Sequence, residues 1–438
     1  MHDLADLAFE TAVDQWIIQA VAAGAASFDE LLVALPGVYP TVVQTALGRL
    51  VQRGVLHGDT HARPRRRLPK SLPVVPYRRR RQVLPVPHPL DYDWRFTPEA
   101  IALLVRESQQ LSRGNGSLVL LGVPSVFQAL TADECQPVVL LDANTATTDA
   151  LQPMTTPASG PRQVVARCDL TRDPLPTIHA SVVLLDPPWY EEHLRVFLWA
   201  ATQLCQIGGH ILLSFPPEGT RPGITYDWET MVDWAAELGL ELVCRTQGVL
   251  GYVTPPFERN ALAAAGLVDL PDGWRRGNLV VLRRVRHTDR PRPCIHQAEH
   301  WSEVLVDGVR IRFRTDPSTG YGNPALRSLV NGDVLDSVSR RWARRGEVQV
   351  WTSTNRVFAC QATAVLRELV VALAERDDPY RRIEQYAGRP LTADEHGEVA
   401  AAMTQVSKLL MAERHDLARW GWALPSPAKE VGNAEPAA

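Results

Sequence analysis

The stretch Val182-Val183-Leu184-Leu185 has the continuous apolar character of a buried strand, and it ends abruptly in Asp186-Pro187-Pro188-Trp189-Tyr190. A carboxylate, two prolines and two aromatic rings at one strand end suit the handling of a flat amine. The lone pair of a ring-conjugated amine is delocalised, so the nitrogen is a poor nucleophile. An acceptor at Asp186, helped by the Pro187 carbonyl, would hold the N–H protons and favour a tetrahedral nitrogen. Pro187 and Pro188 have no N–H to divert and fix the backbone so that this carbonyl points at the substrate. Trp189 would stack on the ring, an interaction worth about 1–3 kcal/mol per base, and Tyr190 and Ser214 would complete the substrate side. The plainer alternative is a strand-ending turn, with Trp189 and Tyr190 packed on the next helix.

Three other strand ends belong with this corner. The first is Gly122-Val123-Pro124-Ser125, the second Asp142-Ala143-Asn144 and the third Cys168-Asp169-Leu170. An ionised carboxylate offers about four lone-pair sites, so an acid after the second strand can accept both hydroxyls of a ribose. An acid after the third can accept from the exocyclic amine of adenine. The first loop has a single glycine, and a β-branched Val123 makes close approach to a cofactor harder. Pro124 suits the first turn of the next helix.

The elements that must position these residues alternate. Helices are expected at "TPEAIALLVRESQQL", "SVFQALTA", "EEHLRVFLWAATQLC" and "WETMVDWAAELGL". Short apolar strands are expected at "SLVLLG", "PVVLLDAN", "QVVARCDL", "ASVVLLD", "GGHILLSF", "ELVCRTQGVL" and "NLVVLRRV". Such alternation predicts a parallel sheet covered on both faces, with its ligand beyond the carboxyl ends of the strands.

The order of elements and acids over residues 96–286 resembles a class I S-adenosylmethionine-dependent methyltransferase. Within that family D-P-P-W is the motif of enzymes that methylate adenine N6 or cytosine N4. The resemblance implies a Rossmann-like α/β core that uses S-adenosylmethionine and no metal. It implies cofactor contacts at Gly122, Val123, Pro124, Asp142, Ala143, Cys168 and Asp169, and a catalytic corner of Asp186, Pro187, Pro188 and Trp189. A target base inside a duplex would have to be flipped out. "RCDLTRDPLPTIHASVVLLDPPW", "GGHILLSF" and the helical N-terminus also look like the branched-chain polyamine synthases, which transfer aminopropyl groups. Those enzymes carry an acidic cluster in the first loop, whereas "GVPS" has no acid and a basic segment lies nearby. Charge therefore favours an anionic or neutral substrate. A third reading is a non-catalytic scaffold that reuses the fold to bind DNA or protein.

The flanks differ in kind. Residues 1–60 resemble a winged helix-turn-helix, with Ser27 and Glu30 as a capping box. Residues 61–95 form a basic, proline-rich linker carrying Arg63, Arg65, Arg66, Arg67, Lys70 and Arg78 to Arg81, suited to nucleic-acid contact. Residues 287–424 are expected to form a C-terminal α+β accessory domain with a hairpin at Asp307-Gly308, and residues 425–438 read as a disordered tail. "GYVTPPFERNALAAAGL" reads either as a proline-rich wall of the pocket or as a plain connector. Arg340, Arg341, Arg344, Arg345 and Arg356, set among Trp342 and Trp351, suit a nucleic-acid face, though the tryptophans fit a core better.

Composition sets the remaining bounds. The 438 residues are 45% apolar and 22% charged with a net charge of −3, as in soluble globular chains. No window approaches the roughly 18 uninterrupted apolar residues of a membrane helix, and the acidic N-terminus does not read as a signal peptide. Six scattered cysteines without C-x-x-C argue against a zinc site or a disulfide framework and suit the cytoplasm. His296 and His300 lack a third ligand nearby. A homodimer or a protein partner stays open.

Overall fold

A computed structural model describes residues 2–57, 84–112, 116–130, 136–155, 163–268, 270–295, 300–315, 321–339 and 342–422. They form two compact units. The first takes the described residues of 1–85, 94–254 and 269–296, and the second those of 86–93, 255–268 and 297–438.

The first unit opens with three helices, α1 (His2–Ala22), α2 (Phe28–Ala34) and α3 (Pro40–Gln52). Ser27 caps α2 by accepting from the Glu30 N–H at 3.2 Å, while the Glu30 carboxylate takes the Ala26 N–H at 2.7 Å. That differs from a strict capping box, in which Glu30 would take the N–H of Ser27 itself. Val13, Ile17, Leu31, Leu32, Val43, Ala46 and Leu50 are buried at helical spacing. Arg49 of α3 pairs with Asp14 at 2.6 Å and Glu10 at 3.3 Å, so its charge serves the module internally. Residues 53–57 are a turn and a bend with no strand among them. The rest of the wing and most of the basic linker lie outside the described residues. The Pro36 carbonyl accepts from Gly219 N–H at 2.9 Å, seating these helices on the loop that follows the fifth parallel strand.

An eight-stranded sheet follows. Its strands are β1 (Arg95–Phe96), β2 (Leu118–Leu121), β3 (Val138–Asp142), β4 (Gln163–Arg167), β5 (Ala180–Leu185), β6 (Cys205–Phe215), β7 (Leu240–Val253) and β8 (Arg276–Arg284). They lie in the order β1-β7-β8-β6-β5-β2-β3-β4. Strands β2 to β6 pair in parallel, while β8 runs antiparallel to both β6 and β7. Numbered in chain order, the parallel strands stand 3-2-1-4-5, the doubly wound arrangement with its reversal between β2 and β5. All four residues of β2 are buried, with Val119 and Leu121 on one face and Leu118 and Leu120 on the other. Helices α4 (Pro98–Ser112), α5 (Pro124–Ala129) and α6 (Thr145–Leu151) contribute to the second face, and α7 (Glu191–Leu204) and α8 (Ile224–Glu237) to the first. Double coverage is why these strands read as unbroken apolar runs; each buried Leu or Val contributes about 1.5–3 kcal/mol.

The second unit takes α9 (Pro256–Ala264), a helix in the stretch expected to be a pocket wall or a connector. Pro256 does not break structure there; it occupies the first helical position, where its missing N–H costs nothing. The unit's sheet combines β9 (Trp301–Val306), β10 (Val309–Arg314), β11 (Arg327–Ser328), β12 (Val350–Thr352) and β13 (Val357–Ala359), with α10 (Thr363–Glu375), α11 (Pro379–Ala387) and α12 (Ala393–Arg419) packed on it. Asp307 and Gly308 both have positive φ, 47° and 86°, as a type I′ hairpin requires. Trp351 is buried at 1% exposure, Arg344 pairs with Glu347 and Arg356 with Glu413 and Asp416, so the described part of the Arg-Trp segment is core and ion-pair structure.

A buried ion network holds this unit. Arg310, with no exposed side-chain surface, donates to Asp91 at 2.5 Å, to both Glu303 oxygens at 3.1 and 2.7 Å and to the Val86 carbonyl at 3.0 Å. Arg312 joins from the same strand, donating to Asp91 and Glu303. Burial pushes Asp91 up, but Arg312 and Arg310 outweigh it and bring its pKa from 3.8 to about 2. A folded pKa below the unfolded one means stability that is fully present above about pH 4 and lost as pH falls through 2. The loss expected from Asp91 is about 2 kcal/mol. Urea unfolding at pH 6, 4, 3 and 2 measures it, and Asp91→Asn should remove this component.

Candidate active site

The ends of β2 and β5 meet at the topological switch point. Gly122 N–H donates to the Leu141 carbonyl at 3.1 Å and Asp186 N–H to the Leu121 carbonyl at 3.3 Å. Gly122 turns at φ +65°, and a side chain there would lie 3.4 Å from the Phe197 ring and 3.8 Å from the Asp186 carbonyl oxygen. The chain therefore needs glycine at this one position of the first loop. Val123 is 1% exposed and its side chain packs into the core with Val126 and Phe127, so its β-branch does not stand in the crevice. Pro124 opens α5 at its first position, as expected.

Asp142 ends β3. Its Oδ1 accepts from Asn144 N–H at 2.8 Å, while Asn144 caps α6 by accepting from Thr147 N–H at 3.1 Å. Ala143 between them is exposed. Cys168 follows β4, is 4% exposed and gives its N–H to the Asp142 carbonyl at 2.9 Å. Burial and then Asp173 push its thiol up, leaving it a packing group rather than a nucleophile. Burial pushes Asp169 up too, but donors from Thr171, 2.6 and 2.9 Å away, and from Arg172 at 2.7 Å outweigh it. Asp169 is thus held below the usual carboxylate range, as an acceptor that stays ionised.

The Asp186 corner gains partners that reading strand ends alone did not supply. Tyr252, at the end of β7 and 1% exposed, donates its hydroxyl to Asp186 Oδ1 at 2.7 Å. The same hydroxyl meets Ser214 Oγ, at the end of β6, at 2.6 Å. Burial, and then the Asp186 charge, push the phenol well above its ordinary value of 10, so it remains a donor. Phe96 stacks on Tyr252 at 4.8 Å and Trp189 meets it edge-on at 5.6 Å. Gly277 of β8 lets these groups converge, since a Cβ there would sit 2.7 Å from Ser214 Oγ and 3.3 Å from the Trp189 ring. Arg221 pins the corner's backbone, donating to the Trp189 carbonyl at 3.1 Å while paired with Asp227 at 2.6 Å. Tyr190 is half-buried at the start of α7, its N–H on the Pro188 carbonyl at 2.7 Å.

Trp189 itself is used differently from the sequence expectation. Trp189 is 8% exposed, the Arg275 guanidinium lies over its ring at 4.3 Å, and the same guanidinium lies over Trp94 at 4.3 Å. A base could stack on that face only if Arg275 moved. Among the described residues no cluster of His, Cys, Asp and Glu could hold a metal. No helix of the described residues is long and apolar enough to cross a membrane.

With that geometry in view, the solved structures fix the fold. The chain is similar to a branched-chain polyamine synthase mutein from Thermus thermophilus, crystallised with N4-aminopropylspermidine and 5′-methylthioadenosine. The match has 15% identity and a TM-score of 0.51, and covers 67% of this chain and 95% of that one. The likeness is one of fold, and the sheet order of the first unit is doubly wound and Rossmann-like. An N-methyltransferase NodS from Bradyrhizobium japonicum is also similar, at 15% identity over 43% of this chain and 96% of that one, with a TM-score of 0.28. No protein-family model matches the chain, and no curated protein matches it in sequence.

Substituting Tyr252→Phe removes the hydroxyl that links Ser214 to Asp186 while keeping the stack on Phe96. We expect any transfer at Asp186 to fall roughly 10- to 100-fold, the cost of one hydrogen bond to a charged group, and the melting temperature to fall as well, because the buried Ser214 hydroxyl loses its partner. Steady-state kinetics beside a melting curve check both halves of this statement.

Proposed function

We propose that the first unit transfers a methyl group from S-adenosylmethionine to an exocyclic amine of a nucleic-acid base, of the adenine N6 or cytosine N4 type. The observation that carries this reading is the Ser214–Tyr252–Asp186 chain at the switch point, beside Gly122. The residues present suit the cofactor: Gly122 keeps the first loop low, Val123 is turned into the core, and carboxylates stand after β3 and β4. Asp142 would hold the ribose hydroxyls and Asp169 the adenine amine. When bound, S-adenosylmethionine supplies an electrophilic methyl group on a sulfonium. The protein's own work lies on the acceptor side. Asp186 accepts the N–H of the amine and takes up the proton it sheds, while the Pro187 carbonyl holds the second N–H. Tyr252 fixes the orientation of the carboxylate, and Arg221 fixes the backbone that carries it. The contribution is largely positioning. The N-terminal helices and the basic segment belong to the same proposal as nucleic-acid contacts.

Aminopropyl transfer to a polyamine is the second reading, favoured by the overlap with the polyamine synthase. Against it stand the acid-free first loop and the Arg275 cation beside the corner, which repel a polycation. Labelled methyl transfer to single-stranded DNA and RNA, with spermidine and a decarboxylated donor in parallel, separates the two. Transfer to nucleic acid supports the proposal, and activity on the polyamine alone overturns it.

A further inference from the structure

Among the described residues, Arg275 Nε–H and Trp274 Nε1–H have no acceptor. The Arg275 guanidinium carbon lies 4.3 Å from the ring centres of both Trp94 and Trp189, yet its Nε–H is buried with no partner. Among the described residues no carboxylate reaches it within ion-pair distance. Trp274 is 2% exposed, meets Trp94 edge-on at 6.0 Å, and its Nε1–H is likewise buried and unpaired. Rings against a guanidinium attract it by its charge and leave its N–H fork, which lies in the guanidinium plane, to be used by others. Buried donors without acceptors are costly and uncommon in native chains, and a cation held without a counter-ion adds to the cost. An arginine fork matches the paired oxygens of a carboxylate or phosphate.

Strand direction explains why these residues reach the corner. β8 runs antiparallel to β6, so the residues that precede it arrive at the carboxyl ends of the parallel strands. The Tyr252 N–H pairs with the Arg275 carbonyl at 3.0 Å, and Tyr252 carries the hydroxyl that holds Asp186. A carboxylate for an amine and a guanidinium for an oxyanion therefore flank one tyrosine.

We propose that Arg275, cradled by Trp94 and Trp189, is an oxyanion subsite that selects acceptors carrying a carboxylate or phosphate on the same molecule as the reacting amine. The inference rests on the amine site at Asp186 and names the substrate class that site takes. Arg275 is a specificity residue: it does not touch the reacting nitrogen.

The test uses the full chain and matched probes, measured by calorimetry without any methyl donor: adenosine 5′-monophosphate against adenosine, and 4-aminobenzoate against aniline. The oxyanion-bearing member of at least one pair should bind tenfold or more tightly, and which pair responds tells phosphate from carboxylate. Arg275→Met should erase that preference and leave the neutral member unchanged, while Arg275→Lys, with charge but no fork, should keep part of it. Melting curves select variants that remain folded, and quenching of Trp fluorescence by the bound probe in the native chain gives a readout without substitution. Equal binding within both pairs, no binding by any probe, or a preference that survives in folded Arg275→Met overturns the inference. Loss of the neutral amines in Asp186→Ala, with no oxyanion preference at Arg275, would sink this subsite and leave the proposed function standing. Transfer that does not depend on Asp186 would do the reverse.

Discussion

Asp186→Ala is expected to lower kcat for amine transfer by about 10²–10⁴-fold, the range for a positioned proton acceptor. That corresponds to about 3–5 kcal/mol of barrier. The carboxylate is the one group of the corner placed at the switch point by the sheet itself, through its N–H bond to the Leu121 carbonyl. Its Oδ1 is held by Tyr252, so the substitution also leaves the buried phenol with Ser214 alone. Donor affinity should hardly change, because Asp142 and Asp169 sit on other strands. Asp186→Asn should fall between alanine and the native chain, since its amide oxygen can still accept from Tyr252 but carries no charge. Single-turnover rates with saturating donor separate the chemical step from binding. A variant with native turnover would remove Asp186 from the mechanism.

The second large effect is on stability. Arg310→Met is expected to destabilise the second unit by about 3–5 kcal/mol, the cost of removing one partner from a buried charge cluster. Methionine fills a similar volume, so the loss is electrostatic: Asp91 and Glu303 would be left with Arg312, and the Val86 carbonyl would lose its donor. His88, fully buried, is held neutral by burial and then by Arg312 and Arg310. It accepts from Leu90 N–H on Nδ1 and so gives its Nε2 proton to the Trp351 carbonyl. Hydrogen exchange of the amides around Trp351 therefore follows unfolding of this unit. A shift under 1 kcal/mol would mean that the network is far less costly to break than its burial implies.

Much of the site was legible because parallel strands have a simple grammar. The apolar runs of β2, β3 and β5 end where the carboxyl edge must be, so looking just past each run places Gly122, Asp142 and Asp186 at that edge as candidate site residues. That rule fails where the sheet turns antiparallel. Trp274 and Arg275 precede β8 and reach the same edge only because β8 runs the other way, and no local pattern marks that reversal. Tyr252 stood at a strand end, but it lay in a proline-rich stretch read as a loop. The sequence also placed Trp189 against a substrate base, whereas its partner in the fold is Arg275, more than eighty residues away in the chain. Pro255-Pro256 looked like a connector because helix starts and turns share proline as a signal. Val123 has the residue type that crowds a ligand, but its side chain faces the core.

Calorimetry with S-adenosylmethionine and S-adenosylhomocysteine tests whether the strand ends form a nucleoside-cofactor site. Both compounds should bind, and Asp142→Ala should weaken both by about tenfold or more, or about 1.4 kcal/mol. Asp186→Ala should leave their affinities unchanged. Failure of either compound to bind at millimolar concentration would contradict such a site.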